Sequence, residues 1–500
     1  MKNTKHIPHI LLFMLLFGLG SCTKFLDENP TGSLTPSSSV TSPEIARAFA
    51  NSAYSELTTL DQGSGGYGGN TAELMEFMSG KAFGNAQTES FRFYNLTYDA
   101  QSFYIDTWWQ GLFYGVANCN LALQKIADIP MDTATKANLL AEVHTLRAFY
   151  YFYLVRMYGD VPIITDVVSD LNNVNPQRNP VKDVYDQVII PDLLTAEAST
   201  LPWQDNTGKV SMGAVKSLLA DVYLTYAGYP VQGGDQYYAE SAKRSKEVMD
   251  NGGFILFPEY TDMIQPANKN KGEFIWQVQF AAGLSDNDLT AKALPQYQDI
   301  AVYSDEFGGL VPTTQFVKSY PDGDKRVQER QFYYTKYPRN GTTTDTVVLG
   351  GYYIYKWFDV SAVTNTAHSD LNYTIYRLAD VMLMYAEASN RAEGSPNATA
   401  IAAVNAIRQR AKLPPISAMS QDEFEKEVWT QRYLELAYEG KIWFDMLRTR
   451  KVRNDITKQF DDFVGHTTVW GKTFTQNQLL FPIPLREINN NPNLVQNPGF

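Results

Sequence analysis

LLAEVHTLRAFYYFYLVRMYGDVP, residues 139–162, decides the fold class. In it Leu139, Val143, Leu146, Tyr150, Tyr153 and Met157 recur at steps of 4, 3, 4, 3 and 4 residues. These steps trace one face of a helix, and Gly159 followed by Pro162 stops it. Upstream, Leu112, Val116, Cys119, Leu123 and Ile126 step by 4, 3, 4 and 3, so Cys119 reads as a small core hydrophobe rather than a reactive thiol. Downstream, Ser420 with Glu423 forms a capping box. Trp429, Tyr433, Leu436, Gly440, Trp443 and Leu447 then carry the period through QRYLELAYEGKIWFDML as a continuous helix.

Further helical patterns cover residues 46–57, 181–198, 213–228, 237–250, 375–394 and 398–412, the first introduced by Ser42 as N-cap, Pro43 in the first turn and Glu44. Short Gly, Pro and Asn turns between helices of this length predict antiparallel pairs. The fold class is therefore mainly α, with tetratricopeptide-like helix pairs forming a superhelical scaffold and no strict 34-residue repeat. Between Gly252 and Asp370 the pattern changes. Period-2 stretches, FIWQVQF (274–280) and GYYIYKWF (351–358), alternate with long loops such as residues 281–312, predicting a loop-rich insertion with short β-strands. Loops this long carry function more often than not, and these hold too many aromatics for disorder.

The N-terminus predicts an address and an anchor. Lys2 and Lys5 precede an apolar run over Ile10 to Leu19, too short to span a bilayer, and Leu19-Gly20-Ser21-Cys22 fits a bacterial lipobox. Cys22 is then the lipidated N-terminus of the mature chain, held to a membrane by acyl chains at about 0.8 kcal/mol per buried methylene. Residues 23–42, rich in Ser, Thr and Pro, read as a tether. The expected organisation is a signal peptide over 1–21, a lipidated tether over 22–42, a helical part over 43–251, the insertion over 252–370 with the ligand region, and a second helical part over 371–500.

Charge and cysteine count exclude several functions. The formal net charge is −12, and losing Lys2 and Lys5 makes the mature chain more acidic still, which argues against nucleic acid or anionic headgroups as partners. With Cys22 lipidated, Cys119 has no partner for an intramolecular disulfide. His144, His368 and His466 lie far apart with no second His or Cys at ligand spacing, so no metal site built on His or Cys is expected. There is no G-x-S-x-G elbow. Gly63 to Gly68 matches G-x-G-x-x-G, but no strand pattern precedes it, so it reads as a loop presenting Tyr67. GHTTVWGKT (465–473) has five residues between its glycines where a phosphate-binding loop needs four, and reads as an ordinary loop. The N-x-S/T triplets at Asn95, Asn340, Asn372 and Asn397 are taken as chance. Carboxylates are abundant, and a glycosidase needs only a pair of them in a cleft; each singly reads as a solvated helix face or a cap.

What remains is aromatic: 31 Tyr, 27 Phe and 8 Trp. Those on helix stripes are core. Loop aromatics beside Gly, Asn, Asp and Gln suit a pyranose, whose axial C–H face stacks on a ring and whose hydroxyls need polar partners. On that logic the candidates are Tyr67, Phe83 with Asn85 and Gln87, Tyr297, Tyr303 and Phe307. The other reading of each is a ring folded down to plug its own loop.

The lipobox followed by TKFLDENP, WWQGLFYGVANCN (108–120) and LRAFYYFYLVRMYGDVPII (146–164) resemble the N-terminal half of the SusD/RagB family of outer-membrane nutrient-binding lipoproteins. GKVSMGAVKSLLADVYLTYAGYP (208–230), YRLADVMLMYAEA (376–388), LELAYEGKIWFDMLR (434–448) and LLFPIPLREINNNPNLVQNPGF (479–500) continue the resemblance in family order. It implies a helical scaffold with a loop-borne ligand site. It also implies a non-catalytic lipoprotein of the outer membrane that binds without a cofactor, facing the cell exterior. Such a protein captures a glycan, or in some branches peptides, and passes it to a partner TonB-dependent transporter of the SusC type. Phe83, Tyr297 and Phe307 are the nearest counterparts of the family's ligand aromatics. A peptide receptor of the same fold and a lipid-anchored glycoside hydrolase are the competing functions.

Overall fold

The computed structural model describes residues 42–58, 71–84, 91–168, 175–342 and 344–500. Helix α1 (Pro43–Ser52) begins at the predicted proline, although the Ser42 hydroxyl caps none of its amides. After α2 (Thr71–Met78), strand β1 (Ala82–Phe83) and the single turn α3 (Phe91–Tyr94) come two 26-residue helices, α4 (Phe103–Asp128) and α5 (Thr133–Tyr158). Asp132 caps α5 by accepting from the Thr135 amide, and Gly159, at φ 75°, ends it. The predicted stripe of α5 is buried except for the half-buried Tyr153, but so are Ala141, Arg147, Phe152 and Leu154 on its other sides. The helix is enclosed because α1, α4 and α6 (Val181–Val184, a π-helical turn Tyr185–Ile189, then Ile190–Glu197) all pack on it. Close approach to α4 depends on Gly115: a Cβ there would fall 2.6 Å from the Tyr150 ring. Cys119 is buried on α4, and burial pushes its thiol pKa well up, in keeping with a core role.

Helices α7 (Met212–Ala227) and α8 (Asp235–Asn251) continue the array, α7 capped by the Ser211 side chain. The insertion then contributes β2 (Phe274–Val278), α9 (Leu289–Ala293), β3 (Val311–Pro312), α10 (Thr314–Lys318), β4 (Tyr333–Pro338) and β5 (Thr346–Ile354). The chain returns through β6 (Tyr373–Arg377) to α11 (Leu378–Glu393), α12 (Ala398–Arg410), α13 (Gln421–Glu435) and α14 (Ile442–Thr449). Next come β7 (Lys451–Arg453), β8 (Phe460–Asp462) and α15 (Leu485–Asn490). Helix α8 packs on α7 before it and on α11 after the insertion, and α11 packs in turn on α12 and α13. The helical array therefore closes over the point where the insertion leaves it. The strands pair antiparallel in twos, β1 with β3, β2 with β6, β4 with β5 and β7 with β8. Besides sharing the main core, the insertion has a small core of its own around Ile300, Tyr334, Phe358 and Leu371.

Three expectations change. The helix predicted from Ile375 starts at Leu378, because residues 373–377 are taken by pairing with β2. All five residues of β2 are buried, so its alternation does not separate core from solvent; both faces are covered. The continuous helix read through QRYLELAYEGKIWFDML is broken between Glu435 and Ile442. Tyr438 and Gly440 sit at φ 65° and 67° there. Tertiary partners replace the helical hydrogen bonds at this break. Lys356 Nζ donates to the carbonyls of Glu435 and Ala437, Trp357 Nε1 donates to that of Tyr438, and the Tyr438 amide donates to Glu76.

The reading of each acidic residue as a solvated face or cap fails at this junction. Glu273, Asp324, Glu435 and Glu439 are buried with Arg326, Arg377, Arg410 and Lys356. Arg377 donates to Glu439, to Glu273 at 2.9 Å, to Glu435 at 2.9 Å and to the Glu435 carbonyl. Arg410 bridges Glu273 and Glu435 as well. Burial alone would raise the pKa of Glu435, but Arg410, Arg377 and Arg326 outweigh it and hold the carboxyl well below the usual range. Four cations meet four carboxylates, joining the insertion to α12, α13 and the turn after it.

Candidate functional site

Strand β1 carries Phe83 and pairs with β3 so that Phe83 faces Val311 across the ladder. Next to it Gly84 lies against Gly309, where a Cβ would sit 3.0 Å from the Gly309 carbonyl oxygen. This pairing draws the segment carrying Phe307 to Phe83, which precedes it by more than two hundred residues. Phe307 is half-buried, its amide donating to the Ala291 carbonyl, and the Gly308 and Leu310 amides donate to Leu294 and Lys292. Both strands rest on the 79–81 turn, where Thr313 bonds Lys81 through its amide and Gly80 through its hydroxyl.

Against Phe83 the structure places a residue that the sequence reading passed over. Trp470 meets the Phe83 ring edge to face at 5.7 Å and the Tyr94 ring at 5.3 Å, and Tyr94 in turn meets Phe91 at 4.9 Å. Trp470 stands at the tip of the GHTTVWGKT loop, held by an antiparallel bridge between Thr467 and Thr473 and by the turn at Gly471, φ 69°. Its indole is half-buried, and its Nε1 has no acceptor among the described residues. Phe91 is 48 % exposed. Phe83, Trp470, Tyr94 and Phe91 thus make an aromatic shelf from two distant stretches of chain. The signal for Trp470 was present, a loop aromatic beside glycine and threonine, but the glycine spacing drew attention to phosphate binding instead.

Tyr297 and Tyr303 stand on the loop between α9 and β3, 82 % and 59 % exposed, and neither forms a ring contact among the described residues. This loop is built rather than slack. The Glu306 carboxylate accepts the backbone amides of Gln298, Asp299, Ile300 and Ala301. Tyr297 and Asp299 are both left-handed, at φ 53° and 56°, a conformation that costs non-glycine residues energy and persists only where the surroundings impose it. Arg339 holds the Asp299 side chain at 3.1 Å, and the Val302 and Tyr303 amides donate to the Val363 carbonyl. Tyr297 is therefore presented outward by a rigid collar, which answers the plug reading for that residue. Tyr67, Asn85, Gln87 and Cys22 lie outside the described residues.

Two charged groups close to β1 in the chain, Glu76 and Lys81, are buried. Lys81 Nζ donates to the Ser79 carbonyl and lies 4.3 Å from the Tyr433 ring centre, with Asp455 at 3.5 Å; burial lowers its pKa. Burial raises the Glu76 carboxyl to about 7. Glu306, engaged by four amides, is committed to structure. Among the described residues no group of three or more His, Cys, Asp or Glu could hold a metal.

The class of protein is a mainly helical scaffold of paired helices that carries its exposed and half-buried site rings on short elements and loops outside the long helices. Residues 24–224 match the family described as starch-binding and associating with the outer membrane, and residues 325–500 match the SusD family. A solved SusD superfamily protein from Parabacteroides distasonis is 50 % identical, with a TM-score of 0.89 over 92 % of this chain and all of the other. SusD-like protein P2 of Formosa agariphila is 26 % identical over 98 % of this chain and 99 % of its own. The starch-binding protein SusD of Bacteroides thetaiotaomicron is 22 % identical over 78 % of this chain and 77 % of its own. The chain belongs to the SusD family.

Proposed function

We propose that this protein is a non-catalytic, lipid-anchored binding protein of the outer membrane that captures an oligo- or polysaccharide and passes it to a TonB-dependent transporter. The observation that carries the reading is the shelf of Phe83, Trp470, Tyr94 and Phe91, with Tyr297 and Tyr303 on the hydrogen-bonded loop that leads into β3. Rings that leave a face to solvent offer flat apolar surface to the C–H face of a sugar, as small-molecule sites do with aromatic walls and a few polar groups. The family description and the starch-binding relative support a glycan and an outer-membrane address. Cys22 supplies the anchor, and residues 252–370, with Phe83 and Trp470 added, form the ligand region held by helical parts over 43–251 and 371–500.

Native affinity electrophoresis through gels containing a panel of neutral polysaccharides, with a reducing-sugar assay on each, tests this. Retardation without new reducing ends, lost in Trp470→Ala, is the expected result. Release of sugar ends would make the protein a hydrolase, and absence of retardation in every gel would favour a peptide ligand.

A further inference from the structure

A cavity of about 480 Å³ lies where the C-terminal end of α5, the 228–230 turn, the end of α14 and the chain at 476–480 and 496–498 converge. Its volume falls within the range of small-molecule sites, about 300–1,000 Å³. None of its lining belongs to the aromatic shelf or to the Tyr297 loop. Phe444 and Leu447 make an apolar wall, and Tyr229, 40 % exposed, stands at the rim.

Four arginines line it, Arg156, Arg178, Arg448 and Arg450, against one carboxylate, Asp160, in a chain whose net charge is −12. Two of the four are engaged. Arg448 pairs with Glu387 and Asp445. Arg178 donates to the carbonyls of Tyr158, Asp160 and Val495 and to Asn497 Oδ1, fixing the C-terminal segment in place. The other two retain donors. Arg156, nine-tenths buried, lies between the Phe152 and Phe444 rings at 3.6 and 3.9 Å; its Nε donates to the Phe152 carbonyl, and Asp221 Oδ2 is 4.0 Å from its Nη1. Arg450 lies 4.9 Å over the Tyr229 ring and donates to the Leu447 carbonyl. A guanidinium has five N–H donors, so most of those on Arg450 meet no acceptor among the described residues. Burial lowers the pKa of Arg450. Arg450 also ends α14 at φ 57°, a position where glycine is the low-energy choice. A glycine there would delete the guanidinium.

We propose that this cavity binds a uronic-acid residue. The carboxylate is received by Arg450 and Arg156, the ring face lies against Tyr229 and Phe444, and the hydroxyls reach Gln476 and Asn477. The choice of a sugar over another carboxylate rests on the glycan reading above; the site itself is separate from the shelf. A neutral hexose leaves the guanidinium donors unmatched, so the cavity selects acidic sugars over neutral ones.

Calorimetric titration of the purified protein with sodium D-glucuronate and sodium D-galacturonate, and with D-glucose and sodium acetate for comparison, tests this. The expected result is binding of at least one uronate, weakened at least about tenfold in Arg450→Gln and also in Tyr229→Ala. Arg450→Lys keeps the charge but not the fork and is expected to lose affinity as well, so the test stands if the glutamine variant fails to fold. No heat with either uronate, equal binding of glucose or of acetate, or uronate affinity unchanged in Arg450→Gln would each overturn the inference. Loss of the shelf reading appears instead in the gels of neutral polysaccharide, so the two failures are distinguishable.

Discussion

Arg377→Met tests whether buried charge holds the insertion in register with the C-terminal helices. In the folded protein Arg377 uses its guanidinium on Glu273, Glu435, Glu439 and the Glu435 carbonyl, and both it and its carboxylate partners are almost wholly shielded from water. Methionine fills similar volume and leaves three cations, Arg326, Arg410 and Lys356, facing four carboxylates. One buried negative charge is then uncompensated, and breaking a buried pair in this way costs about 3–5 kcal/mol. Chemical denaturation followed by tryptophan fluorescence reads that loss. Adding Glu439→Gln removes one carboxylate and restores neutrality, so the double variant is expected to be more stable than Arg377→Met alone. A single variant that loses less than about 1 kcal/mol, the scale of an exposed ion pair, would refute the reasoning. So would a double variant whose losses simply add.

The remaining predictions concern the site and the anchor. Burial holds Glu76 at about 7 when folded against 4.5 as its ordinary value. The folded state therefore binds more protons than the unfolded one between those pH values, and stability from this group falls as pH rises from about 4.5 to 7. Glu76→Gln should accordingly gain on wild type as pH rises through that window, by about 3 kcal/mol at most, in urea melts at pH 4.5 and 7.5; a constant difference would count against a buried, poorly solvated carboxylate. Glu306→Ala removes the acceptor of four amides and should free the Tyr297 loop, raising hydrogen exchange at residues 298–301 and weakening glycan retention while the global unfolding midpoint stays put. Tyr297→Ala should weaken retention in the same gels without lowering the melting temperature, since an 82 % exposed ring contributes little to the core; unchanged retention would remove Tyr297 from the ligand site. Cys22→Ala should leave the protein soluble in the periplasm, and a variant that still fractionates with the outer membrane would remove the acyl anchor.

The sequence by itself determined the helices. The stripes on α4 and α5 and the Ser420–Glu423 box are local features, and a helix forms where local period and local caps agree. The burial of Cys119 and the family resemblance followed from the same stretches. Only the tertiary structure decided where that local pattern yields. The helical period through residues 429–447 is unbroken in sequence, yet Lys356, Trp357 and Glu76, all remote in the chain, take the backbone groups of residues 435–438 and end the helix there. Glu435 looks like one more acid on a helix; it is buried because three arginines from other elements converge on it. Phe83 was legible as a loop aromatic, but Trp470 becomes its neighbour only when two loops far apart in the chain dock on the same scaffold. Arg450 and Tyr229 meet at the rim of a cavity for the same reason. Periodicity reports interactions within a few residues, whereas the shelf and the cavity are made by contacts between segments whose meeting depends on every helix in between.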